Sequence, residues 1–116
     1  MSTWDTEIFT AEANAEFLED LAELDIEEVE AAVRDAVLLA ASQSATAEEV
    51  DNGRAAATIA AIWAGAPFSA GEIADTYGFL RNGAAQVDEK VAEVALALLE
   101  DVEGEEDVDQ FIEALS

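Results

Sequence analysis

The chain has 116 residues, 28 of them Asp or Glu against four Lys or Arg, with no His and no Cys, for a formal charge of −24. A surface this negative repels nucleic-acid backbones and anionic membranes, both of which require a positive protein face. The missing His and Cys remove the commonest general base, the strongest nucleophile, the usual zinc ligands and any disulfide.

The apolar content of 52% is far above that of a disordered acidic chain, so the charge sits on a folded body. One Pro and six Gly, with abundant Ala, lean the composition to helix. Residues 1–116 are expected to form a single all-α domain. Met1 to Thr10 holds no Lys or Arg, and no apolar run of leader type follows it, so no secretory signal is expected. The longest apolar stretch, Ala55 to Phe68, is shorter than the roughly 20 residues of a spanning helix and carries Gly65 and Pro67 at its end. A soluble protein with no membrane association is expected. The lack of cysteine is compatible with a reducing cytoplasm, the expected location.

In chain order, Phe17, Leu18, Leu21 and Leu24 form the first apolar stripe, entered through a Thr10 cap. Asp25 and Glu28 have capping-box spacing, with Asp in place of Ser or Thr. Ile26, Val29, Val33, Val37 and Ala40 then keep a 3.6-residue period over four turns, with Arg34 and Asp35 on the exposed side. Thr46 and Glu49 make a second capping box, yet Asn52–Gly53 is a turn signal, so the third helix starts at either Ala47 or about Arg54. Its body, Ala55, Ile59, Ile62 and Trp63, is apolar on nearly all sides and belongs at the bundle's centre. Gly65 and Pro67 end it.

Ser69 and Glu72 open a short fourth helix carrying Ile73, Tyr77 and Leu80, closed by Gly83. In the fifth, Val87, Val91, Val94, Leu98 and Val102 trace one face, while Asp88, Glu89, Lys90, Glu93 and Glu100 occupy the other. Gly104 ends it and Asp107 caps a final helix whose buried side is Val108, Phe111, Ile112 and Leu115. The expected architecture is all-α, a single compact bundle of five or six helices.

Candidate chemistry is sparse. Asp101, Glu103, Glu105, Glu106, Asp107 and Asp109 offer hard oxygen ligands of the kind Ca²⁺ and Mg²⁺ take. The EF-hand template fails there: counting from Asp101, the sixth position is Glu106 rather than Gly and the twelfth is Ile112 rather than Glu. A solvated turn whose acids favour the next helix's N-terminus is the better reading. Glu89 and Glu93 stand one turn apart, but di-metal bundles pair Glu with His, which is absent. A glycosidase needs only two carboxylates, and among 28 acids that coincidence carries no information. Five Ser residues lack a His partner, and no nucleophile elbow, Walker or dinucleotide loop is present. Catalytic, cofactor and metal residues are therefore assigned to none, and no enzyme is expected. Trp4, Ile8 and Phe9 precede the first helix without helical period, and plugging the bundle is favoured over an exposed patch. Trp63, Phe68 and Tyr77 are read as core by default.

The opening Met1-Ser2-Thr3-Trp4-Asp5-Thr6-Glu7-Ile8-Phe9, followed by Ala13 to Leu21, resembles the bacterial family known as domain of unknown function 4259. That family opens with Met-Gly-x-Trp-Gly-x-x-x-Phe and an Ala-x-x-Phe/Trp helix start, which Trp4, Phe9, Ala13 or Ala15, and Phe17 match. Ser2 and Asp5 stand where the family usually has Gly, and Thr10-Ala11-Glu12 replaces an Asn-Asp-rich turn. The resemblance implies a small bacterial helical domain and brings no activity with it.

The leading expectation is a non-enzymatic cytoplasmic bundle acting through protein contacts, as an accessory or immunity-like partner of a basic protein. Three alternatives stand beside it: a divalent-cation site at residues 101–109, an acidic mimic of nucleic acid, and adaptation of the surface to salt. Nothing in the sequence sets the oligomeric state.

Overall fold

A computed structural model describes residues 8–9, 11–42, 44–63, 89–100 and 108–115. Five α-helices account for most of them: α1 (Glu12–Ala22), α2 (Ile26–Ala40), α3 (Ala47–Trp63), α4 (Glu89–Glu100) and α5 (Val108–Leu115). No strand occurs among the described residues, and the protein is an all-α bundle as its periodicity predicts. Its radius of gyration, 12.4 Å, is near the roughly 13 Å expected of a folded chain this long. The expected helix from Ser69 to Gly83 lies outside the described residues, as do Trp4, Phe68 and Tyr77.

The centre of the bundle is α3. Every residue from Ala55 to Ile62 is buried, and so is Gly53, which leaves Arg54 as the one half-exposed position in that run. Burial on all sides follows from the sequence, since Ala side chains let neighbours approach an α-helix closely without voids. Helices α1, α2, α4 and α5 all pack against it. The one hydroxyl in this dry segment, Thr58, is fully buried and satisfied locally: its Oγ1 donates to the Arg54 carbonyl at 2.8 Å.

The start of α3 resolves the choice left by the sequence in favour of Ala47. Thr46 and Glu49 form the reciprocal box, with Thr46 N–H donating to Glu49 Oε1 at 2.8 Å and Glu49 N–H to Thr46 Oγ1 at 3.1 Å. Asn52–Gly53 is therefore not a turn but lies inside the helix. Gly53 is there for space. A Cβ added to it would lie 2.0 Å from the Ala40 Cβ and 3.1 Å from the Ala36 carbonyl oxygen, so α2 and α3 cross where neither can carry a larger side chain. Replacing Thr46 with Ala removes one half of the box, and thermal melts should show about 1 kcal/mol of lost stability.

Helix α2 follows its predicted stripe. Val29, Val33, Val37 and Ala40 are buried, while Arg34 and Asp35 are exposed and form a 3.7 Å ion pair. Side chains this open to water gain little from pairing. Asp25 occupies the N-cap in extended geometry, but its side chain makes no capping bond, so the Asp25–Glu28 box is not formed. Helix α1 begins at Glu12 with Ala11 as N-cap, a position that Thr10 was expected to fill. It stops at Ala22, which puts Leu24 in the following turn and on the surface rather than on the buried stripe of Leu18 and Leu21.

Ile8 and Phe9 are both buried, as the plugging reading requires. Asn14 ties this segment down: wholly buried on α1, it donates from Nδ2 to the Ile8 carbonyl at 2.7 Å. Asn14→Ala should cost about 1–3 kcal/mol in denaturant melts, since it leaves the Ile8 carbonyl without that donor. On α4, Val91 and Leu98 face inward and Glu89, Lys90, Glu93 and Glu100 outward as the period predicts, but Ala95 and Leu99 are buried beside them, Val94 is half-buried, and Val87 and Val102 lie outside the described residues. Phe111 and Leu115 bury one side of α5.

Candidate functional site: an acidic cleft between two helix starts

The first turns of α1 and α3 meet at one end of the bundle. Helix α1 presents Glu12 and Glu16, an i, i+4 pair on one face; α3 presents Glu48 and Asp51, an i, i+3 pair. Together they line a solvent-open cleft of about 360 Å³, and every described residue of its wall is acidic. Glu12, Glu16 and Glu48 are exposed and Asp51 is half-buried. Glu12 and Glu48 also have a structural reason to be there, because each sits in the first turn at the positive end of its helix dipole. That partial positive charge offsets part of the repulsion among the four carboxylates.

The arrangement has a definite chemical reach. Among the described residues no three acidic side chains are grouped closely enough to hold a metal ion. Four carboxylates spread around an open cleft suit a cation that is itself extended, such as a Lys ammonium on its stem or an Arg guanidinium with its fork of donors.

The acidic surroundings extend well beyond the cleft. From Glu12 to Asp35, ten of 24 residues are Asp or Glu, and Arg34 is the single base among them. All ten are exposed except Glu30, which is half-buried. Exposed carboxylates also stand on α4 at Glu93 and on α5 at Glu113. The 101–109 cluster, the cation candidate of the sequence, lies outside the residues whose side chains are described. Glu89 and Glu93 are both exposed on α4.

The cleft is not legible in the sequence. Each acid pair was visible in its spacing, but the pairs are more than 30 residues apart, and only the packing of α1 on α3 brings them together.

Fold and surface thus define a small, strongly acidic helical bundle with a carboxylate-lined cleft at one end. The chain matches no family model, and no curated protein or solved structure is detectably similar to it. No helix among the described residues is long and apolar enough to cross a membrane.

Proposed function

We propose that this protein is a non-enzymatic interaction domain of the cytoplasm whose acidic surface engages a basic protein, as an accessory or immunity-like partner. The observation that carries the reading is the cleft of Glu12, Glu16, Glu48 and Asp51 set within a chain of net charge −24. A field of this size concentrates a cationic partner and speeds encounter, and the cleft gives one of its Lys or Arg side chains a place to end. The absence of His, Cys and any nucleophile–base motif supports a role without catalysis. The same charge argues against nucleic acid as a direct ligand. The likeness of the opening residues to domain of unknown function 4259 adds the expectation of a bacterial source and no activity.

Mimicry of a phosphate backbone calls for carboxylates arranged along one side. Exposed acids on all five helices, among them Glu12, Glu27, Glu48, Glu93 and Glu113, favour a general electrostatic surface instead. Affinity capture from cell extract at about 50 mM and about 500 mM salt tests the proposal. A specific basic protein should be retained at the lower salt and released at the higher. Recovery of no basic protein at low salt, or retention indifferent to salt, would contradict it.

A further inference from the structure

Three large apolar side chains are exposed among the described residues: Leu24 at 38%, Leu38 at 36% and Leu39 at 50%. Leu24 stands alone in the turn between α1 and α2. Leu38 and Leu39 are adjacent on the last turn of α2, where Val37 and Ala40 anchor the opposite side in the core. The pair therefore belongs to a well-packed helix end and not to a frayed one. On the same outward face, toward the helix N-terminus, stand Glu27, Glu28 and Asp35, all exposed. The face thus carries three acids and Arg34, which pairs with Asp35, and ends in two leucines.

Helix α3 starts at the same end of the bundle. Ala40 packs against Gly53, and Asp51 lies two residues back along α3, about 3 Å of helix rise away. Glu48 follows one turn further toward the helix start, so the leucine pair shares an end of the bundle with the acidic cleft.

We propose that Leu38 and Leu39 are the apolar anchor of a docking surface for an amphipathic basic segment of the partner protein, a reading that rests on the proposed function above. Charge complementarity selects this occupant. A second copy of the chain carries the same −24 and is repelled, and an anionic lipid surface is repelled equally. A basic helix carrying apolar residues at helical spacing satisfies both parts of the face, placing cations over Glu27 and Glu28 and apolar side chains over the leucines.

Two synthetic peptides of equal length and equal positive charge provide the test: an amphipathic Lys–Leu helix, and the same peptide with each Leu replaced by Ser. At low salt the protein should bind the Lys–Leu peptide about tenfold more tightly than the Lys–Ser peptide, the effect of covering two half-exposed leucines. In the double variant L38S/L39S that preference should vanish, with binding of the Lys–Ser peptide and the melting temperature both unchanged. In L24S the preference should persist. Retention of the preference in L38S/L39S, its loss in L24S as well, or its absence from the wild-type protein would each overturn the docking surface while leaving charge-driven binding in place. Binding of neither peptide at low salt would instead sink the basic-partner reading itself.

Discussion

The melting temperature of this protein should rise by on the order of 10–20 °C between about 10 mM and about 1 M NaCl. The reason is geometric. The molecule measures 32 × 29 × 27 Å, and the Debye length at about 10 mM salt is roughly 30 Å. Under those conditions each carboxylate feels essentially all the others, and a net charge of −24 opposes compaction. At about 1 M the Debye length falls to roughly 3 Å, so only nearest neighbours still repel. The expanded chain already holds its charges further apart and gains less from screening, so the folded state is the one that salt favours. NaCl and KCl should act alike if screening is the cause. A melting temperature that is flat or falls with salt would show that the acids are individually compensated in the fold.

Gly53→Ala should destabilise the protein by roughly 1–3 kcal/mol, although Ala is the better helix former by about 1 kcal/mol. The packing term wins here because the new methyl would lie 2.0 Å from the Ala40 Cβ and 3.1 Å from the Ala36 carbonyl oxygen. Neither neighbour can rotate away, since one is a Cβ and the other is backbone. Helices α2 and α3 would have to separate, loosening the core around Val33, Val37 and Ile59. Ala40→Gly supplies the control. Alone it should cost about 0.5–1 kcal/mol. Combined with Gly53→Ala it should recover most of the lost stability, because the methyl group then crosses the interface in the other direction. Strict additivity of the two changes would refute the close crossing as the cause.

Gly53 also marks where reading the sequence fails. Asn-Gly is a strong local turn signal, and the capping box at Thr46 and Glu49 is an equally local helix signal in conflict with it. The conflict is settled by a contact with Ala40, 13 residues away, which no local pattern reveals. Elsewhere local physics sufficed. The valines of α2 and the all-round apolar character of α3 announce their burial through pattern alone, while on α4 the period finds Val91 and Leu98 and misses Ala95 and Leu99. The errors near α1 are a matter of helix ends. Spacing gave Leu24 the same status as Leu21, but the helix stops at Ala22, so the stripe stops with it. Asp25 sits at the cap position its type favours, yet the bond that spacing promised is not made. The cleft was the least legible feature, because its four acids become one feature only through packing between separate helices.

The central claim, that the cleft concentrates the protein's affinity for cations, is tested most directly by comparing two sets of charge-neutralised variants against an oligolysine peptide. One set carries E12Q, E16Q, E48Q and D51N; the other carries E23Q, E89Q, E93Q and E100Q, all exposed, which changes the net charge equally and spares the face of Glu27, Glu28 and Asp35. Calorimetric titration at low salt should show the cleft variant binding about tenfold more weakly than the second variant, a difference of about 1.4 kcal/mol. Equal weakening in both would contradict the claim, leaving the charge as a property of the whole surface with no preferred place to bind.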